Sequence, residues 1–209
     1  MGLKAVIFDL DGTLYDNGRL FWMLPLSELL CLRLGYLGRE RSSRKALRGQ
    51  SFATREEFYQ HLYSSISRRH PERAERWYNR HYMPLQTRLL QHFCKADPWV
   101  RPRLEQLRSQ GIKVALYSDY DFAEQKLRAL NLDPELFDLI AEAPTLGGLK
   151  PDRHLAQRVL DRLGVRADEA MFVGDREDTD VASALSVGAR YQLLVRRGKE
   201  VSFVDQLPA

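Results

Sequence analysis

Three short apolar runs, each closed by a polar residue, constrain the fold of this chain more than any other feature. Ala5-Val6-Ile7-Phe8 runs into Asp9, Lys113-Val114-Ala115-Leu116-Tyr117 into Ser118, and Ala170-Met171-Phe172-Val173 into Gly174-Asp175. Runs of this length, bounded by turn residues, read as buried strands. Helices are predicted over 100–110, 122–130, 151–163 and 181–187, with Gly111, Gly164 and Gly188 just past three of the ends. Further strands are expected over 136–140 and 191–195. Repeating strand–helix units imply an α/β fold with a parallel, doubly wound sheet and right-handed crossovers. Such sheets bind ligands beyond the carboxyl ends of their strands. Asp9, Asp11, Ser118, Asp175 and the loop bearing Lys150 all fall there, so four separate segments deliver polar groups to one edge.

Asp9 and Asp11 stand at i and i+2, on one side of the chain if the first strand extends that far. Gly12 then allows a sharp turn. Two carboxylates this close repel unless a cation lies between them. A hard divalent ion such as Mg2+ prefers carboxylate oxygens. A carboxylate can also attack phosphorus and form an aspartyl-phosphate.

Residues 17–95 have a different rhythm. Apolar residues recur at helical spacing from Phe21, and no β-alternation appears. Gly35 and Gly38 are expected to interrupt the first helix, and a second is expected over 39–47. Thr54 reads as a helix cap, with Glu57 three residues later as a capping box requires. Pro71 opens another helix. The block reads as a helical insert (17–95) in an α/β core domain made of 1–16 and 96–209, with Asp16-Asn17-Gly18 and Ala96-Asp97-Pro98 as the two connections. Of the net charge of +4, residues 16–95 carry +8 and the remainder −4. An acidic body with a basic insert suits an anionic substrate held beside a metal. The same arginines leave a nucleic-acid-binding protein as a rival, although no aromatic-basic recognition motif is present. No apolar run is long enough to cross a bilayer. Cys31 and Cys94 make no disulfide framework. The expectation is a cytoplasmic protein without membrane or nucleic-acid partners.

Four motifs occur in order: Asp9-Leu10-Asp11-Gly12-Thr13; Ser118 after a strand; Lys150-Pro151-Asp152; and Gly174-Asp175-Arg176-Glu177-Asp178-Thr179-Asp180. Together they resemble the haloacid dehalogenase-like superfamily of phosphohydrolases. The resemblance implies that Asp9 is the nucleophile and that Asp11 is the general acid and base. It implies Mg2+ held by the Asp9 side chain, the Asp11 backbone carbonyl and Asp175. Asp180 is expected to support the site from behind, in preference to Asp178. Ser118 and Lys150 would bind the transferring phosphoryl group, and Gly12 and Thr13 would offer it turn geometry and backbone N–H groups. Asp119 follows Ser118 where many relatives carry Asn, and an extra carboxylate there is unfavourable unless it faces away or meets a cation.

The insert occupies the position of the family's helical cap. Within it, Arg48 of Arg48-Gly49-Gln50-Ser51 is the expected substrate contact. Arg41, Arg44 and Lys45 are expected to be solvated, Trp22, Trp77 and Tyr78 to be cap core, and His61, His70, His81 and His92 to be structural or surface residues. The substrate implied is a small phosphorylated metabolite, hydrolysed by a monomer or homodimer. A phosphotransferase resembling a sugar phosphomutase, and a catalytically silent scaffold, are the alternatives.

Overall fold

A computed structural model describes residues 2–198 and 200–205 of the chain. Six strands form one sheet: β1 (Ala5–Phe8), β2 (Lys113–Ser118), β3 (Leu139–Glu142), β4 (Ala170–Gly174), β5 (Arg190–Arg197) and β6 (Glu200–Asp205). Their order is β3-β2-β1-β4-β5-β6. The first five are parallel, and β6 turns back antiparallel on β5. The chain fills one side of β1 with β2 and β3, then crosses to the other side for β4 and β5. The switch point therefore lies between β1 and β4, where open α/β sheets bind ligands.

β1 shows why the sheet is covered on both faces. All four of its residues are buried. Val6 and Phe8 pack into one apolar cluster, with Leu104 and Leu107 of α6 (Val100–Ser109) and Leu127 of α7 (Ala123–Ala129). Ala5 and Ile7 face the opposite cluster, with Leu155 and Val159 of α8 (Arg153–Leu163) and Ala184 of α9 (Ala182–Val187). A continuous apolar run is what a strand buried on both sides requires.

Residues 18–93 are helical: α1 (Gly18–Leu30), α2 (Leu34–Leu47), α3 (Arg55–Ile66), α4 (Pro71–Trp77), a π-helical turn at Tyr78–Tyr82, and α5 (Met83–Phe93). Their apolar sides join the α6–α7 cluster. Thr54 caps α3 by accepting from Glu57 N at 3.1 Å. The returning bond from Glu57 goes one residue further back, to Ala53 N at 2.9 Å. Among the described residues, no helix is long and apolar enough to cross a membrane.

Four local expectations are corrected. Gly35 and Gly38 lie inside α2 and do not break it, and added side chains there would meet nothing. The break falls at Cys31–Arg33, where Leu32 takes a left-handed conformation (φ 55°) and Arg33 N bonds back to Glu28 O at 2.7 Å. The predicted strand at 136–140 starts later, at Leu139, because Pro134–Leu136 forms a 3-10 turn capped by Asp133. Strand β6 had no counterpart in the sequence reading. Trp22 is 75% exposed rather than core, because the buried stripe of α1 runs through Leu20, Leu24 and Glu28 on the other side of the helix. Trp77 and Tyr78 are buried as expected.

The helical segment reaches the core through the 48–54 loop. Phe52 N donates to Gly147 O at 2.7 Å, and Ser51 bridges to Gly148. Ser51 also donates to Asp152, whose other oxygen caps α8 at His154 N and Leu155 N. Gly147 has a positive φ of 91°, and a Cβ there would run into the Phe52 carbonyl. The Gly147-Gly148 pair is thus what lets two backbones touch.

Candidate active site

Asp9 lies one residue past β1, and its backbone N–H continues the ladder to Val173 O at 2.8 Å. This fixes its side chain beside Asp175, which follows β4. Lys150 enters from the 147–152 loop with its side chain almost wholly buried. Its ammonium donates to Asp9 Oδ1 and to Asp180 Oδ1, each at 2.6 Å, and to Tyr117 O at 3.1 Å. Thr13 Oγ1 donates to Asp9 Oδ2 at 3.2 Å and lies 3.5 Å from Asp175 Oδ1. The turn after Asp11 depends on Gly12, whose φ is 102° and whose missing Cβ leaves the space filled by the Asp175 carboxylate.

Oxygens of Asp9, Asp175 and Asp180 all lie within 4.8 Å of one another. Burial raises the Asp9 carboxyl to about 7, with Asp180 adding to the rise and Lys150 opposing it. Burial, then Asp9, raises Asp175 to about 6. Asp180 is also raised, by burial, against the pull of Lys150. Lys150 behaves oppositely: burial alone would lower it, but Asp180 and Asp9 hold it charged and well above its ordinary value. Three carboxylates thus share one ammonium, and the balance of charge is short of cations. A hard dication accepted by carboxylate oxygens fits this donor set. Asp180, expected behind the site, has its carboxylate in the cluster itself. Asp178 points out to solvent and pairs with Arg176 at 2.6 Å and Arg48 at 2.8 Å.

The Asp11 carboxylate turns away from this cluster. Lys126 Nζ reaches its two oxygens at 2.9 and 2.7 Å, and Tyr15 donates its hydroxyl to Oδ1. Lys126 and Tyr15 are both fully buried. Neither was singled out from the sequence. The available signal was position: Lys126 lies on the stripe of α7 shared with Ala123 and Leu127, where a lysine is buried only if paired.

Ser118 is fully buried at the end of β2 and accepts from Tyr120 N at 3.1 Å. Asp119 Oδ1 accepts from Lys150 N at 2.8 Å, so it helps hold the lysine loop. It also lines the same cavity as Asp9 and Asp180 and adds to the rise of the Asp180 carboxyl.

Arg48 lines the cavity above Asp9, as do Arg41, Arg44 and Lys45. Arg44 is not solvated. It is buried, bonded to Glu40 and to Asp119 O (2.8 Å), and its guanidinium lies 4.1 Å from the Tyr120 ring centroid. The buried stripe of α2 is Leu37, Glu40, Arg44 and Leu47, so an ion pair takes the place of two apolar residues and hides the helix's inward face from a hydrophobic pattern.

The model of one protein family, described as haloacid dehalogenase-like hydrolase, matches residues 3–188. Among curated proteins, the chain is 26% identical to a glyceraldehyde 3-phosphate phosphatase of Methanopyrus kandleri, over 94% of this chain and 85% of the relative. It is 27% identical to a phosphoglycolate phosphatase of Aquifex aeolicus, over 91% and 84%. Among solved structures, a HAD phosphatase from Thermococcus onnurineus shares the fold with a TM-score of 0.63 at 24% identity, covering 94% of this chain and 88% of the other. The match covers most of the chain, and the chain is an enzyme of the haloacid dehalogenase-like hydrolase family.

Proposed function

We propose that the chain is a Mg2+-dependent phosphatase that hydrolyses a small phosphomonoester through an aspartyl-phosphate on Asp9, with helices α1–α5 (17–95) acting as a cap over the site. The observation that carries this reading is the bridging of Asp9 and Asp180 by one buried ammonium, beside Asp175. The phosphatase names of the relatives in Methanopyrus and Aquifex support it. Asp9 and Asp175, with the Asp11 carbonyl, would hold Mg2+, and Asp180 is close enough to share in this. The ion supplies neutralising charge where phosphate oxygens and carboxylates meet.

The protein's own groups do the rest. An Asp9 oxygen attacks phosphorus, and the bond from phosphorus to the leaving oxygen breaks. Asp11 gives a proton to that oxygen. Lys150 and Ser118 hold the phosphoryl oxygens, and Thr13 orients the Asp9 carboxylate. Water then attacks phosphorus while Asp11 takes its proton. The Asp9–phosphorus bond breaks, freeing the carboxylate and inorganic phosphate.

A screen of purified protein against phosphorylated metabolites, with and without Mg2+, tests this. The expected result is Mg2+-dependent phosphate release that Asp9→Asn abolishes while the circular dichroism spectrum is unchanged. Undiminished release by Asp9→Asn would overturn the mechanism. Transfer of phosphate to a sugar hydroxyl rather than to water would assign the chain to the phosphomutases.

A further inference from the structure

Arg41, Lys45 and Arg48 stand at i, i+4 and i+7 on α2 and its C-terminal cap residue, so they form one stripe. The stripe lines the same cavity as Asp9 and Lys150, the first from the helical segment and the others from the sheet edge. Like charges at i, i+4 destabilise a helix. Arg44, next to the stripe, is neutralised by Glu40. Arg48 is paired with Asp178. Arg41 and Lys45 have no carboxylate partner among the described residues, and both side chains are exposed. The Phe21 ring lies 5.5 Å from the Arg41 guanidinium carbon.

The floor and the roof of the cavity therefore differ in charge. The floor has carboxylates in excess of its one ammonium, and it receives the phosphoryl group with a metal ion. The roof has cations in excess: Arg41 and Lys45 have no carboxylate partner among the described residues, and Arg48 shares Asp178 with Arg176. A neutral sugar or alcohol would leave Arg41 and Lys45 with water as their only polar partner. A leaving half that carries its own anion would pair with them. Both sets of residues line one cavity of about 230 Å3, so the anion-binding groups of the two sides are close together.

We propose that the substrate carries a second anionic group, a carboxylate or a second phosphoryl, within a few atoms of the transferred phosphoryl, and that Arg41 and Lys45 are the specificity residues that bind it. This inference rests on the phosphatase reading above, and extends it to the leaving group.

The test uses pairs of substrates matched in length. One pair is 2-phosphoglycolate and 2-hydroxyethyl phosphate, which differ in a carboxylate. Inorganic pyrophosphate is the phosphoryl counterpart. The wild-type kcat/KM is expected to be at least about 30-fold higher for an anionic member than for 2-hydroxyethyl phosphate. Preference for 2-phosphoglycolate assigns the subsite to a carboxylate, and preference for pyrophosphate assigns it to a phosphoryl group. Arg41→Gln and Lys45→Gln are expected to lower that ratio by about 5- to 20-fold each, mainly through KM. The KM for the anionic substrate should rise with added salt, because exposed charge pairs are screened. Arg69→Gln, exposed and away from the cavity, controls for net charge and should leave the ratio unchanged. Equal turnover of the matched pair, or equal losses on both substrates in the Gln variants, overturns the inference and leaves the phosphatase reading standing. No Mg2+-dependent release from any phosphate ester overturns the reading itself. Calorimetric binding of the same pair to Asp9→Asn then tests the roof independently of turnover, and equal affinity for both members rejects it.

Discussion

Lys126 Nζ, fully buried, lies 2.9 and 2.7 Å from the two carboxylate oxygens of Asp11. The Tyr120 ring closes over the ammonium at 4.8 Å. Lys126 touches neither the phosphoryl position nor the Asp9 cluster, so its effect on chemistry passes through Asp11. Lys126→Met keeps the apolar length of the side chain and removes the charge. The Asp11 side chain is 22% exposed and keeps the Tyr15 hydroxyl, so losing the cation destabilises by about 2 kcal/mol. For a chain of this size that lowers the Tm by roughly 5 °C. Loss of the acid's fixed orientation should lower kcat by at least about tenfold, with KM little changed. A variant with wild-type kcat would show that Asp11 needs no such anchor.

The two sides of this site were unequally legible in the sequence. Asp9, Asp175 and Lys150 follow strands or occupy a Gly-Pro-bounded loop, and the strand rhythm alone sends them to one edge of the sheet. Asp180 was separable from Asp178 only by its spacing from Asp175, and the π-helical turn at Glu177–Val181 is what turns Asp180 inward and Asp178 outward. Lys126 and Arg44 were not legible. Their burial depends on partners contributed by other elements: Asp11 from beyond β1, and Tyr78 and Asp119 from the end of α4 and the end of β2. A charged residue carries no local mark that says whether tertiary structure will bring it a partner. Strand β6 escaped for a different reason. It is an edge hairpin strand, and its sequence interleaves Val201, Phe203 and Val204 with polar residues, so it lacks the continuous apolar run that revealed the central strands.

The raised carboxyls make stability depend on pH in a stated direction. Burial raises the Asp9 carboxyl to about 7 and the Asp175 carboxyl to about 6, from an ordinary value of 3.8. Between those limits the folded protein binds more protons than the unfolded chain, so these groups favour folding at low pH, and that contribution is lost as pH rises through 6 and 7. In chelator, the Tm should fall between about pH 5 and about pH 8, and the fall should be smaller in Asp9→Asn. Bound Mg2+ requires ionised carboxylates, so millimolar Mg2+ should raise the Tm more at the higher pH. An equal Mg2+ shift at both values would mean that the ion binds away from these carboxylates.

Gly147 links the 48–54 loop to the core through a contact that tolerates no side chain. Gly147→Ala would place a Cβ against the Phe52 carbonyl and would force a residue with a side chain into a left-handed conformation, which costs about 1–2 kcal/mol. A Tm reduced by about 5 °C is expected. The same displacement moves Arg48 and Ser51, so KM should rise by several-fold while turnover of saturating substrate changes less. Unchanged KM in a destabilised variant would show that the loop position does not matter for substrate binding.

Asp119 gives the sharpest separation between charge and geometry. Its Oδ1 accepts the Lys150 backbone N–H at 2.8 Å, and its own carbonyl accepts from Arg44 at 2.8 Å. An Asn oxygen can accept the first bond equally well, and the second does not involve the side chain. Asp119→Asn should therefore retain kcat/KM within about threefold, with the amide oxygen assigned to the Lys150 N–H. Asp119→Ala leaves that N–H without its acceptor in a partly buried loop, a loss of about 1–3 kcal/mol. Because the loop carries the ammonium that bridges Asp9 and Asp180, the Ala variant should also lose at least about tenfold in kcat. If the carboxylate's charge were the important property, the Asn variant would fall as far as the Ala variant, and the comparison of the two decides it.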